Sequence, residues 1–186
     1  AGTSRAVALP GCAQDILSRV NKERQKVGAE PLQLAQGLNR TAQFWAEWMA
    51  ATDEFIHLPA RFPDEGWAFL TALGASRGLA ENIAWGQKTT AEVMDSWMNS
   101  AGHRGNILNP GMKYLGVGCA SQNAGTYWVQ QFAGNMGTAQ NGHKRIPIPT
   151  DHLKFKVSQV VHVGGPVRGE VVGKLPQGTK VSYQWL

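Results

Sequence analysis

The stretch Trp97-Met-Asn-Ser-Ala-Gly-His-Arg-Gly-Asn-Ile-Leu108 changes character in its middle. Its first residues close a run, Thr90 to Ser100, in which Val93, Met94, Trp97 and Met98 recur at helical spacing, with Thr89 or Thr90 placed to cap the start. From Gly102 to Asn109 the glycines and polar residues read instead as a compact turn, closed by Pro110 and Gly111. A helix running into a polar, histidine-bearing turn places His103 where helix and turn meet.

Upstream, Ile16, Leu17, Val20, Arg24 and Val27 predict an amphipathic helix over Cys12 to Val27, stopped by Gly28 and Pro31. A second, more deeply packed helix is expected from Leu34 through Leu38, Thr41, Ala42, Trp45, Trp48 and Met49 to about Ala51. Asn39-Arg40-Thr41 matches a glycosylation acceptor, but a mid-helix position makes the match coincidental. Thr52 to Arg77 is broken by prolines and glycines, with a short helix expected around Trp67 to Leu73. Leu79 to Gly86 reads as a buried strand carrying one acid.

Downstream, Tyr114 to Ala120 and Thr126 to Gly134 predict a hairpin turning at Gln122 to Gly125. Three helices and a small sheet make a layered α/β core. Beyond Gly137, Gly, Pro and Lys increase and helical periodicity ends. Leu153/Phe155/Val157, Val171 and Val181/Tyr183/Trp185 alternate with polar neighbours. The expected organisation is a core over 11–137, a linker over 138–150 and a basic β-rich extension over 151–186.

Charge follows the same division. Residues 1–137 hold eleven Lys/Arg against eleven Asp/Glu, and residues 138–186 hold seven against two, so the tail carries the whole net charge of +5. Such a tail suits an anionic surface such as cell-wall polymer or lipid headgroups, and equally a solubilising sheet. Nucleic acid is not an expected partner, because no stacking-aromatic platform accompanies the basic residues. No apolar run is long enough for a transmembrane helix. Ala1 to Pro10 has neither an initiator Met nor a charged head followed by an apolar run, as expected of a mature or trimmed chain. Cys12 and Cys119 are too far apart in sequence for a zinc knuckle or redox pair; they are either one long-range bridge or two buried thiols.

Three polar residues stand in apolar or tight settings: His57 in Phe55-Ile-His-Leu58, Glu81 in Leu79-Ala-Glu-Asn-Ile83, and His103 in Gly102-His-Arg-Gly105. Glu81 is the sharpest, because a buried carboxylate requires a donor or cation beside it. Either histidine, or a metal held by both, would serve. Taken alone, spacings of this kind match no metal motif, and lone histidines are usually structural. Asn82, Arg104 and Asn106 have the plain role of satisfying backbone groups around tight turns.

These same residues carry a resemblance. Val20-Asn-Lys-Glu-Arg24 with Gly28 and Pro31-Leu32 resembles the opening helix of bacterial CAP domains (cysteine-rich secretory, antigen 5 and pathogenesis-related-1 proteins). Ala80-Glu-Asn-Ile-Ala84 is similar to the family's Gly-Glu-Asn motif, with Ala80 in place of glycine. Trp97 to Leu108 resembles its Gly-His-Arg-x-Asn-Ile-Leu run, and Gly116-Val-Gly118 and Tyr127 to Phe132 its closing strands. The resemblance implies an α-β-α sandwich and a cleft lined by His57, Glu81, Ser100 and His103. Ser100 stands where many relatives have a second glutamate, which weakens the implied binding of Zn2+ or another divalent metal through His57 and His103. It also implies export, and with it a Cys12–Cys119 disulfide.

Two functions follow from this reading. One is a secreted or cell-wall-associated binding or effector module for a lipid, sterol, glycan or cell-wall polymer. The other is a metal-dependent, peptidase-like hydrolase in which His57 and His103 hold the metal and Glu81 is the catalytic residue that orients or deprotonates water. No Ser, Cys or Thr sits in a nucleophile motif.

Overall fold

The computed structural model describes residues 6–58, 75–76, 78–122, 125–137, 156–160 and 168–172. The chain divides into two compact units, Ala1–Thr138 and Ala139–Leu186.

The first unit holds helices α1 (Cys12–Lys26), α2 (Gln36–Thr52), α3 (Thr90–Asn99) and α4 (Ala101–Leu108). Its strands are β1 (Val7–Ala8), β2 (Gln33–Leu34), β3 (Ala75–Ser76), β4 (Ala80–Trp85), β5 (Tyr114–Gln122), β6 (Gly125–Ala133) and β7 (Asn135–Met136). The main sheet runs β1-β5-β6-β4 with β2 also on β5, and β3 pairs with β7 separately. The β5–β6 hairpin is antiparallel, with Gln122 opposite Gly125.

Side chains alternate across this sheet, and each face buries its own core. Leu115, Val117, Cys119, Trp128 and Phe132 pack with Ile16, Val20, Val93, Trp97 and Ile107 of α1, α3 and α4. Ile83, Tyr127 and Val129 pack with Ala42, Trp45, Ala46 and Met49 of α2 on the other face. The result is the α-β-α sandwich.

On the α2 face, β5 presents Gly116 and Gly118, and the helix backbone fills the space their side chains would take. A Cβ on Gly116 would lie 2.3 Å from the Leu38 carbonyl carbon, and one on Gly118 would lie 2.1 Å from the Ala42 carbonyl oxygen. At this range α2 also completes the edge of β5 between β2 and β1. The Val117 N–H donates to Asn39 Oδ1 at 2.9 Å, and the Cys119 N–H donates to Gln43 Oε1 at 3.0 Å. Asn39, in the glycosylation-like triplet, is thus spent on the sheet.

Arg24, read among the apolar positions of the first helix, is fully buried. Its guanidinium donates to the carbonyls of Glu30, Ile107, Asn109 and Met112, tying α1 to the end of α4 and the turn that follows. The fixed fork of donors suits four carbonyls that no single ammonium would reach. Cys12 and Cys119 form the disulfide, which joins the start of α1 to β5.

Several expectations change. The stretch expected as a turn from Gly102 to Asn109 is instead helical through Leu108, with Asn109 as its extended cap. Both glycines face open space, so they weaken the helix without obstructing it, and buried Ile107 and the Arg104 N–H to Ser100 carbonyl bond hold it. The core therefore has four described helices rather than three. Leu34 lies in β2, outside the second helix, because β5 captures the backbone there through Ala35 N–H to Leu115 O. Thr89 is the cap of α3: its hydroxyl accepts from the Glu92 N–H while Glu92 accepts from the Lys88 N–H. The short helix expected at Trp67 to Leu73 lies outside the described residues.

In the second unit β8 (Lys156–Val160) and β9 (Arg168–Val172) pair antiparallel, with Val157 opposite Val171. Leu153, Phe155, Val181, Tyr183 and Trp185 lie outside the described residues.

Gly118→Ala is expected to lower unfolding stability in urea by about 3 kcal/mol, because helix backbone must move. Gly105→Ala in α4, whose new Cβ would meet nothing within 4 Å, should instead raise stability by up to about 1 kcal/mol. Replacing both cysteines by Ala releases a cross-link spanning 107 residues and should cost about 4 kcal/mol in the same assay.

Candidate functional site

β4 is the edge strand of the main sheet, and its neighbouring residues Glu81 and Asn82 point to opposite faces. Glu81 turns toward α2. Its side chain is only 2% exposed, yet every approach to the carboxylate is hydrogen bonded. The Leu58 N–H donates to Oε1 at 2.9 Å, Gln131 Nε2 donates to Oε2 at 2.9 Å, and His57 Nδ1 lies 2.9 Å from Oε1. The Thr41 hydroxyl, set between Gln131 Oε1 and the Leu38 carbonyl, fixes the amide in turn. Desolvation of the carboxylate is thus offset by partners from two segments, the one carrying His57 and Leu58 and strand β6.

The segment that delivers His57 is pinned along its length. α2 ends at Asp53, whose φ of 56° lies in the left-handed region. Asp53 Oδ1 accepts from the Tyr127 hydroxyl at 2.6 Å, and burial together with this bond raises the Tyr127 pKa. The Trp45 indole N–H then donates to the Ile56 carbonyl at 3.0 Å. With Nδ1 held by Glu81 and 45% of the side chain exposed, His57 offers Nε2 outward.

Asn82 serves the other face. Its amide donates to the His103 carbonyl at 3.2 Å and to Gln130 Oε1 at 3.0 Å, and its Oδ1 accepts from Asn106 Nδ2 at 2.9 Å. These bonds seat α4, and with it His103, against β4. The His103 ring is half-buried, and its pKa is lowered by desolvation and then by electrostatic repulsion from His57. Ser100, between α3 and α4, is half-buried and makes no side-chain capping bond. Arg104 donates to the Met98 carbonyl at 2.7 Å and Asn82 to the His103 carbonyl, the backbone-satisfying role expected of them, whereas Asn106 bonds the Asn82 side chain instead.

Gln130, Gln131 and Thr41 were not singled out from sequence. Their signal was two adjacent amides inside the apolar strand Tyr127 to Phe132. As a metal centre the donor set is short. No group of three or more His, Cys, Asp or Glu side chains among the described residues is arranged as ligands, and Glu81 is committed to protein donors. Two imidazoles alone do not make a site with three protein ligands and one open position.

The sequence profile of the cysteine-rich secretory protein family, CAP, matches residues 17–132. The uncharacterized protein YkwD of Bacillus subtilis is 39% identical over 135 residues, 71% of this chain and 51% of the relative, so the match spans about half of that protein. The human Golgi-associated plant pathogenesis-related protein 1 is 31% identical over 132 residues, 62% of this chain and 77% of the relative. An extracellular SCP-domain protein of Bacillus anthracis superposes with a TM-score of 0.58 at 26% identity, covering 66% of this chain and 40% of that one. An outer surface protein of Borrelia burgdorferi, at 14% identity and a TM-score of 0.56 over 69% of this chain and 97% of its own, shares the fold alone. With the profile spanning both histidines, the Glu-Asn pair and the closing hairpin, the chain belongs to the CAP, or cysteine-rich secretory protein, family as a bacterial-type member.

Proposed function

We propose that this chain is an extracellular binding module whose ligand docks at the edge of β4 against His57 and His103. The observation that carries the reading is the state of Glu81. A carboxylate 2% exposed that accepts from Leu58 and Gln131 and lies 2.9 Å from His57 Nδ1 is placed to hold an imidazole rather than to meet substrate water. The acid of this cleft is spent on organisation.

Phe55 and Trp85 give the ligand apolar surface. They are 52% and 48% exposed, Phe55 lies two residues before His57, and Trp85 ends the strand that carries Glu81. Exposed aromatics on the segments that carry His57 and Glu81 suit a lipid, sterol, glycan or cell-wall polymer. The disulfide supports an oxidising compartment, as do the extracellular and outer-surface relatives, and no described helix is long and apolar enough to cross a membrane. The basic tail would add affinity for an anionic wall or membrane surface.

The alternative, a divalent-metal hydrolase, is favoured by one feature: a carboxylate behind a histidine is the arrangement that orients metal-binding imidazoles. It would need a third ligand in addition to His57 and His103. Sedimentation of the purified chain with insoluble cell-wall polymer and with anionic lipid vesicles is expected to show retention that falls at least about tenfold in His57→Ala/His103→Ala. Turnover of a protein substrate that is lost with chelator and in His57→Ala would replace this reading with the hydrolase.

A pH titration tests the convergence of the two rings. His103 should titrate below the ordinary histidine value of about 6.5, and His57→Ala should raise its midpoint, as followed by imidazole NMR. Since the folded chain takes up this proton later than the unfolded one, the His103 contribution to stability is present above about pH 6.5 and is lost as pH falls through the lowered folded-state value. An unmoved midpoint in His57→Ala would place the rings in separate environments.

A further inference from the structure

The hydrogen-bond phase of β4 can be read from both of its ends. The Gly86 N–H donates to the Thr126 carbonyl at 2.9 Å, one step beyond the Trp85–Tyr127 pair. Bonded pairs alternate along an antiparallel ladder, so Ala80, Asn82 and Ala84 bond β6, and Glu81, Ile83 and Trp85 turn their backbone groups away from it. The far side of the sheet agrees. Leu115, Val117 and Cys119 of β5 spend their backbone groups on β2, α2 and β1, which leaves the even-numbered residues of β5 to the odd-numbered ones of β6, and the even-numbered residues of β6 to β4.

The outward groups are open. Among the described residues no strand lies beyond β4, and neither the N–H groups of Glu81, Ile83 and Trp85 nor the carbonyls of Glu81 and Trp85 have a hydrogen-bond partner. The Ile83 carbonyl accepts from the Trp97 indole N–H at 3.3 Å and keeps a second lone pair. Glu81 is 8% exposed as a residue but only 2% in its side chain, so what solvent reaches is chiefly its main chain. An open edge is a template for another strand, and β4 carries no lysine, no proline and no bulge to guard it.

We infer that an extended peptide adds to β4 as a further strand, its main chain bonded to Glu81, Ile83 and Trp85, and its alternate side chains turned toward His57 on one face and α4 on the other. The inference rests on the docking of a ligand at this edge and supplies that ligand's chemistry. The free backbone groups recur at every second residue, about 7 Å apart, a repeat that an extended main chain matches. An acyl chain or sterol would leave them dry and unpaired. The hydroxyls of a glycan are spaced by its rings rather than by this repeat.

Hydrogen exchange followed by amide NMR on the full chain reads this edge residue by residue. Without ligand, the amides of Glu81, Ile83 and Trp85 should exchange at least about tenfold faster than those of Asn82 and Ala84. Saturating acetyl-Thr-Val-Thr-Val-Thr-amide should slow the first three about tenfold and leave the other two unchanged. Strand addition uses one edge of the peptide, so N-methylation of its second and fourth residues should be tolerated, whereas N-methylation of all five should weaken binding at least about tenfold. Trp85→Pro should bind about threefold more weakly than Trp85→Ala, since both lose the indole but only proline lacks the outward N–H. Equal exchange of the two sets in the free chain, equal binding of the fully methylated peptide, or the same protection by chitotetraose or laurate would each overturn the inference. The exchange and peptide comparisons need only the unaltered chain, so they stand even if a variant folds poorly. Peptide binding unchanged in His57→Ala/His103→Ala would uphold strand addition and remove the histidines from docking. Wall-polymer retention that falls in that variant, with no peptide protection at Glu81, Ile83 and Trp85, would uphold docking and overturn strand addition.

Discussion

The fold depends on one close approach, the backbone of α2 against the backbone of β5 at Gly116 and Gly118. Side chains normally hold a helix about 10 Å from a sheet; here two glycines remove that spacer on alternate residues of one strand. The helix then comes near enough for Asn39 and Gln43 to act as strand partners, bonding N–H groups of β5 that lie between the short strands β2 and β1. An interrupted sheet edge is completed by side chains of a helix. With α2 fixed in depth and rotation, Trp45 is placed to grip Ile56, and Thr41 to steady Gln131. The geometry of the His57 side of the cleft is set in this way by a contact several residues away.

Buried polar groups carry the rest of the architecture. Arg24 gathers four carbonyls where α1, the α4 terminus and the following turn meet, and Glu81 gathers partners from the His57–Leu58 segment and from β6. Each is costly if left half satisfied and specifies a single arrangement once complete.

Much of this was legible in the sequence, and the gaps have physical causes. Periodicity located α1, α2 and α3 because each buries one apolar stripe, and the largely apolar runs on either side of the Gln122 to Gly125 turn located the hairpin, whose two faces are both covered. α4 was missed because Gly102 and Gly105 lower helix propensity, and only tertiary contacts at Ile107 and Arg24 make up the loss. β1, β2, β3 and β7 are two-residue pairings with no period of their own. Within the site, the isolated acid in an apolar run marked Glu81, whereas Thr41 and Gln131 looked like ordinary helix and strand residues. Nothing local in the sequence indicates that both serve a carboxylate forty or more residues away.

The adjacency of Glu81 and Asn82 ties both histidine-bearing segments to β4. Successive strand residues point to opposite faces, so this dipeptide addresses the α2 side and the α4 side at once. Glu81 holds the segment bearing His57, and Asn82 holds the helix bearing His103. A one-residue slip of β4 against β6 would exchange the two side chains, putting a carboxylate among the amides of Gln130 and Asn106 and an amide beneath His57. Register and site are thus enforced by the same pair. A pair of residues on opposite faces of one strand thus orders both layers, the His57 segment on one side and α4 on the other.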